Sequence, residues 1–366
     1  MSDSKRSSNN KKRTAGGGNK RRNGKKSSTS RRMLFLLLGL ALLIVALMIA
    51  IYPFYFTGAP REATIRIPAN ATEQNVADTL KKYFGDSFAG NVMKAIRLRD
   101  TDFSTRHGAY KIEKGTCAFN TMRRLTSGAQ TPVKITINGF RNYDEMLGKI
   151  AAKMDFSAEE LRKAVEDPAF LADYGLTPAS AMALFVNDTY EVYWSDSPRH
   201  LAEKIGANYK SVWNDANRKT AADLGLTPAD ITIIASIVDE ETNAASEKGT
   251  VGRLYINRLQ KGMRLQADPT VRFALGDFLI KRVSRNDLRT ESPYNTYLHA
   301  GLPPGPIRTT GKATITAILQ SSPHDYLYMC AKDDFSGTHN FSTTFEEHRR
   351  NADRYQAALD ARGIAR

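Results

Sequence analysis

Residues 230–242, Asp-Ile-Thr-Ile-Ile-Ala-Ser-Ile-Val-Asp-Glu-Glu-Thr, set three consecutive carboxylates at the end of an isoleucine-rich run. At about 100° per residue, Ile231, Ile234, Ala235 and Val238 share one helix face, which Ile233 and Ile237 widen. Counted from Ile231, Asp239 falls at about 80°, Glu240 at about 180° and Glu241 at about 280°. The wheel therefore points Glu240 to solvent, leaves Asp239 at a margin and sets Glu241 inside the isoleucine stripe. A carboxyl among apolar neighbours stays protonated to higher pH and can act as a general acid near neutrality. The plainer alternative is a glutamate that snorkels at a helix end or pairs with an arginine.

Other common chemistries are missing from the sequence. It contains no Gly-x-Ser-x-Gly, no His-Glu-x-x-His and no paired Cys-x-x-Cys, and its six histidines are scattered, so neither a metal nor a cofactor is expected. Three segments downstream of Glu241 combine amide, hydroxyl and aromatic groups: residues 264–270, 292–297 and 339–343. Such a mixture suits sugars, whose hydroxyls need fixed hydrogen-bond partners and whose rings need a flat apolar face. Ordinary loop composition is the competing explanation.

The elements that position these groups follow a basic, then an apolar, segment. Residues 1–32 hold twelve Lys/Arg against one acid, so +11 of the net +15 sits there and only +4 remains for the rest of the chain. Rich in Ser, Asn and Gly and without aromatics, this tail is expected to be disordered. Residues 33–51 carry no charge and reach about 28 Å as a helix, close to a bilayer's hydrocarbon core. The basic flank orients such a helix with its N-terminus in the cytoplasm, and Tyr52, Phe54, Tyr55 and Phe56 suit the outer interface. The run is longer than the apolar part of a secretory signal, and no small-x-small cleavage site follows it, so an uncleaved anchor over 33–52 is expected. The tail reads as a topology determinant that also touches anionic lipid, rather than as a nucleic-acid arm.

Between about 63 and 152, three segments alternate apolar and polar residues, each followed by a turn and a helical pattern. Thr72 is expected to cap a helix carrying Val76, Leu80 and Tyr83. Thr116 is expected to start one with Phe119, Met122 and Leu125, stopped at Gly128. Ser157 and Glu160 form a capping-box pattern, 185–193 reads as a strand, and Thr227-Pro228 opens the helix that ends at Glu241. Residues 246–262 and 313–320 read as helices, 301–307 as a rigid Pro-Gly loop, and 326–330 as a strand. Cys117 and Cys330 fit small buried hydrophobes, though in an extracytoplasmic domain they could pair.

Five segments carry a resemblance: Ala235-Ser-Ile-Val-Asp-Glu-Glu-Thr242, Val251-Gly-Arg-Leu-Tyr-Ile-Asn-Arg-Leu259, Gly262-Met-Arg-Leu-Gln-Ala-Asp-Pro-Thr-Val271, Tyr294-Asn-Thr-Tyr297 and Gly301-Leu-Pro-Pro-Gly-Pro-Ile307. In order and spacing the chain resembles the endolytic murein transglycosylase (YceG-like) family, which cuts nascent peptidoglycan at the bacterial inner membrane. The likeness runs from about 62 to 360 and is densest over 231–307. It implies that the essential acid is the Glu preceding Thr, here Glu241. The family's earlier acidic position is Asp239 in this chain, a shorter carboxylate. Asn187-Asp-Thr-Tyr190 stands where members usually read Pro-Asp-Thr-Tyr, which puts the local loop geometry in question. The likeness also implies a LysM-like module that contacts N-acetylglucosamine-type ligands.

The expected fold is α+β: a tail over 1–32, a single-pass anchor over 33–52, a LysM-like module over 62–132 and a mixed α+β catalytic domain over 133–360. The implied reaction cleaves the bond between N-acetylmuramic acid and N-acetylglucosamine, leaves 1,6-anhydromuramyl ends and terminates strand growth. Glu241 would serve as acid and then base, with Gln266, Asp268, Asn295 and Tyr297 as candidate glycan contacts. Asp268-Pro269 reads equally well as a turn. Expected partners are glycan strands, a peptidoglycan synthase complex and anionic lipid at the tail, with no nucleic acid. A hydrolytic muramidase and a non-catalytic glycan-binding scaffold are the rival functions.

Overall fold

A computed structural model describes residues 27–99, 103–280 and 282–363; most of the basic tail lies outside these. The first described element is helix α1 (Ser27–Tyr55), which begins before the apolar run and continues past it. Its stretch Arg31–Tyr55 has a mean hydropathy of 3.2 over its most apolar window and is exposed there, and among the described residues it is the single unbroken helix long and apolar enough to cross a membrane. Where α1 ends, Tyr55 stacks on Phe119 with ring centroids 4.8 Å apart.

The next elements are strand β1 (Ala63–Ile67), helices α2 (Glu73–Phe84) and α3 (Asp86–Arg97), strand β2 (Gly108–Ile112) and helix α4 (Ala118–Ser127). β1 and β2 pair antiparallel, with Ala63 opposite Ile112. The Thr72 cap forms as expected, its hydroxyl accepting from the Asn75 amide, and α4 stops at Gly128 in the left-handed region. Helix α3 has no counterpart in the sequence reading, although Phe88, Val92, Met93 and Ile96 recur at helical spacing and are buried. Ile65, Leu80, Val92, Tyr110, Met122 and Leu125 belong to one buried cluster confined to this part of the chain.

A second and larger cluster begins at Ile135. The elements around it are β3 (Val133–Ile137), α5 (Tyr143–Ala151), α6 (Ala158–Val165), α7 (Pro168–Ala172), β4 (Asp188–Val192), α8 (Pro198–Val212), α9 (Asp215–Asp223), α10 (Pro228–Glu241) and α11 (Lys248–Gln260). They are followed by α12 (Asp268–Leu275), α13 (Lys312–Leu319), β5 (Tyr328–Ala331), β6 (His339–Ser342) and α14 (Phe345–Ala361). β3 joins β4 antiparallel and β5 joins β6, so the described residues form a mixed α/β fold with three separate two-stranded ribbons. The third sequence unit thus takes its partner strand from about fifty residues downstream rather than from its predecessors.

Helix α10 is the centre of this cluster. Residues 231–238 are all buried, Thr232 and Ser236 included, so the helix is enclosed on every side. Its Ser236 hydroxyl donates to the Ile233 carbonyl and accepts the Ile307 amide at 3.1 Å, which ties the Pro-Gly loop to the helix. That loop passes so close to residue 179 that a Cβ on Gly305 would lie 2.2 Å from the Ala179 carbonyl oxygen. Gly252 serves a similar close approach between α11 and α13, since a Cβ there would meet Ile318 at 2.4 Å. Cys117 and Cys330 are both free and half-buried.

Candidate active site

The chain leaves α10 at Thr242, whose extended backbone stops the helix just after Glu241. The Thr242 hydroxyl accepts the Ala244 amide at 3.0 Å, which turns the chain toward α11. The end of α10 thus meets the middle of α11 at the Glu241 carboxyl. From α11 the Tyr255 hydroxyl donates to Glu241 Oε1 at 2.7 Å. The carboxyl faces a cavity of about 360 Å³ that is also lined by Tyr255, Arg258, Gln266, Asp268, Arg272 and Tyr297, with Tyr328 and His348 beyond them.

Glu241 keeps some exposure into this cavity, yet protein surrounds the carboxyl closely enough that desolvation raises its pKa above the ordinary glutamate value. The Tyr255 hydrogen bond opposes that rise, because a donated hydrogen bond favours the carboxylate. The charge of Asp268 reinforces the rise, while His339 and Arg272 weaken it. Tyr255 itself is pushed well above the usual phenol range, first by burial and then by Glu241, so its hydroxyl remains a donor. Oε1 is held by Tyr255, and Oε2 makes no hydrogen bond among the described residues.

The two preceding acids have other partners. The wheel pointed Glu240 to solvent; its side chain is in fact only 9% exposed and accepts from Arg141 Nε and from Arg308 Nη1, both at 2.7 Å. The expectation failed because it treated α10 as an amphipathic surface helix, whereas the β3–α5 turn and the Pro-Gly loop cover this side as well. Asp239 accepts from Lys248 Nζ, Thr310 Oγ1 and Thr314 Oγ1, each at 2.6 Å, so its oxygens are committed away from Glu241.

Four further residues were expected at the site. Gln266, Asp268 and Tyr297 line the cavity with Glu241. Asp268 opens helix α12 rather than a bare turn, and Tyr297 donates to its Oδ1 at 2.6 Å. Burial and that carboxylate together raise the Tyr297 phenol. Gln266 has φ of 51°, an uncommon left-handed value for a residue with a side chain, and its Oε1 accepts from Arg258 Nη2 at 2.6 Å. Asn295 does not reach the cavity, which corrects its candidacy as a glycan contact. It is 0% exposed, donates to the Leu288 and Thr290 carbonyls at 3.1 and 2.8 Å, and accepts the Tyr297 amide at 3.0 Å. An amide with this many internal partners shapes a loop. Thr296 completes the attachment: its hydroxyl accepts the Ala267 amide and bonds to that of Thr270 at 2.9 Å, bringing the 294–297 segment onto the 266–270 turn.

A model of the YceG-like family matches residues 65–354. This chain belongs to the YceG-like family. An endolytic murein transglycosylase of Bacillus subtilis (strain 168) is 26% identical over 309 residues, covering 80% of this chain and 84% of that protein. One of Streptococcus pneumoniae (strain D39) is 24% identical over 319 residues, covering 79% of this chain and 57% of that protein. The crystal structure of a yceG-like protein from Listeria monocytogenes matches with a TM-score of 0.50 at 24% identity, covering 80% of this chain and 99% of that one, a likeness of fold.

Within this YceG-like chain, Asn187 answers the question raised by the missing proline. Its amide donates to the Thr310 carbonyl at 2.9 Å and its Oδ1 accepts the Gly139 amide at 3.2 Å. A proline has no N–H for the first of these bonds, so asparagine joins the β3–α5 turn to the 309–311 segment with contacts of its own. Tyr255 and Arg258 fall within the helix expected over 246–262, and nothing in the sequence singles out Arg272, Tyr328 or His348. The spacing of Tyr255 and Arg258, three residues apart on α11, was the one available signal, and an ordinary buried helix shows the same spacing.

Proposed function

We propose that this chain is a membrane-anchored endolytic peptidoglycan lytic transglycosylase in which Glu241 is both acid and base. Protonated Glu241 gives its proton to the glycosidic oxygen between N-acetylmuramic acid and N-acetylglucosamine as the C1–O bond breaks. The resulting carboxylate takes the proton of the muramyl C6 hydroxyl while O6 bonds to C1. The products are a free sugar hydroxyl and a 1,6-anhydromuramyl end, and no water is consumed. One carboxyl with a raised pKa is enough for this cycle; hydrolysis by the common two-carboxylate route needs a second acid about 5–9 Å away, for which Asp268 in the same cavity is the candidate, although its Oδ1 already accepts from Tyr297. The observation that carries the reading is the Glu241 carboxyl, desolvated, bonded to Tyr255 at 2.7 Å and facing a cavity lined by amide, carboxyl, phenol and guanidinium groups. The names of the relatives support the same substrate and the same bond-breaking class.

Around this centre, Gln266, Asp268 and Tyr297 contact the glycan, and Asn295 acts indirectly by holding the Tyr297 backbone. Residues 133–360 form the catalytic domain and 62–132 a LysM-like module, a division supported by the two buried clusters. The apolar α1 supports an anchor over 33–52 in the bacterial plasma membrane. The positive charge ahead of it keeps the 1–32 tail cytoplasmic and against anionic lipid, with the catalytic domain extracytoplasmic. There the enzyme cuts nascent strands beside a peptidoglycan synthase complex and ends their elongation.

The test is mass spectrometry of un-crosslinked glycan digested by the purified chain. Anhydro ends are expected, and Glu241→Gln is expected to slow their appearance by about 10²–10⁴-fold. Products that have each gained a water would replace this reading with a hydrolytic muramidase. Wild-type protein that binds glycan without cutting it would make the chain a scaffold.

A further inference from the structure

Three side chains lining the Glu241 cavity are able to carry positive charge: Arg258, Arg272 and His348. Arg258 is committed to the wall. Its Nε donates to the Arg264 carbonyl, its Nη1 to the Leu327 carbonyl and its Nη2 to Gln266 Oε1, at 2.9, 3.1 and 2.6 Å. His348 is held neutral near pH 7, because burial and the charge of Arg258 both lower its pKa. Arg272 is in a different position. It stands on α12 one turn beyond Asp268, its Nε is buried without a hydrogen-bond partner, and among the described residues it makes no hydrogen bond or ion pair. A guanidinium stays charged at any relevant pH and carries five donors, so a half-buried one without partners is costly unless something arrives to engage it.

We propose that Arg272 binds a carboxylate borne by the muramyl unit of the glycan, either the lactyl group on O3 or an acidic residue of a stem peptide attached to it. The inference rests on the reading of this cavity as a glycan site and adds the feature that sets the strand's register. N-acetylglucosamine has no lactyl ether, so the two alternating sugars differ at this substituent. The planar fork of a guanidinium takes a carboxylate through two parallel hydrogen bonds, which fixes orientation as well as charge. The lactyl ether belongs to the same sugar whose C1 and O6 react. Anchoring it in the cavity that holds Glu241 presents the muramyl C1, rather than the glucosaminyl C1, to the acid. Arg272 is therefore a specificity-determining residue.

The test measures binding, so that it stands apart from turnover. Full-length Glu241→Gln protein in detergent is titrated calorimetrically with four glycan oligomers: peptide-free with free lactyl carboxylates, the same with those carboxyls converted to primary amides, peptide-bearing, and N-acetylglucosamine only. At least one carboxylate-bearing oligomer is expected to bind about tenfold or more tightly than the amide. In Glu241→Gln/Arg272→Gln that advantage disappears while affinity for the amide is unchanged. Arg272→Lys, which keeps the charge and loses the fork, retains part of it. Arg272-dependence seen with the peptide-free acid assigns the lactyl group, and dependence seen only with the peptide-bearing oligomer assigns a peptide acid. An advantage that survives Arg272→Gln, or equal binding of acid and amide by the parent, overturns the proposal. If the wild type forms no anhydro ends while Arg272-dependent discrimination persists, the catalytic reading fails and the carboxylate pocket stands.

Discussion

Replacing Tyr255 with Phe removes one hydroxyl and little else, and it acts directly on the carboxyl proposed above as the proton donor. That hydroxyl donates to Glu241 Oε1 at 2.7 Å from a ring that is 2% exposed. A hydrogen bond to a charged group contributes about 1.5–3 kcal/mol. Tyr255 favours the carboxylate, so its loss raises the pKa of Glu241 further above the glutamate range. The acid must be protonated to start the reaction, and the high-pH limb of kcat/KM reports its ionisation in the free enzyme. That limb is therefore expected to move to higher pH. On the plateau the variant is slower, because charge building on Glu241 as it releases its proton loses a supporting donor. With about half of the charge developed in the transition state, the cost is about 0.7–1.5 kcal/mol, or roughly 3–12-fold in kcat/KM. The assay is release of anhydro-ended fragments from un-crosslinked glycan across the pH range, with a thermal melt to show that the fold is retained. A high-pH limb that stays in place or moves down would refute the opposition between burial and Tyr255 argued above.

Two further outcomes test the surroundings. Asn295→Ala is expected to destabilise the fold by about 1–3 kcal/mol in urea unfolding and to lower kcat through displacement of Tyr297, because two half-buried carbonyls and one amide lose their partner; a raised KM with unchanged stability would instead return it to the glycan-contacting residues. Arg308→Ala leaves the enclosed Glu240 carboxylate with Arg141 alone and is expected to cost about 2–4 kcal/mol, whereas removing Lys219 from its exposed pair with Asp223 costs less than about 1 kcal/mol. Equal midpoints for these two variants would show that the Glu240 cluster is as solvated as the surface pair.

Much of the local structure was legible in the chain. Thr72, Ser157 and Thr227 cap the helices expected of them, because capping depends on residues three apart in sequence. Glu241 was selected by its place after an isoleucine stripe, and Gln266, Asp268 and Tyr297 by the chemistry of their segments. Glu240 was misjudged because a helical wheel says which residues share a face but not how many faces will be covered, and α10 is covered all round. Arg272 was overlooked because its place beside Glu241 depends on how α12 meets the end of α10, which no local pattern records. Asn295 was misread because an amide suited to a sugar hydroxyl is equally suited to a backbone carbonyl seven residues away.

By itself the sequence determined what depends on near neighbours and on bulk transfer from water: an uncharged run long enough to cross a bilayer, the helix caps, and an acid carried at the end of an apolar helix. The folded chain decided which groups meet. Tyr255 reaches Glu241 across fourteen residues, Tyr297 reaches Asp268 across twenty-nine, and Arg308 reaches Glu240 across sixty-eight. No periodicity encodes such pairings, because they follow from how the buried surfaces of separate helices and loops fit together. The upward shift of the Glu241 carboxyl follows from that fit, since the protein packed around it is what desolvates it.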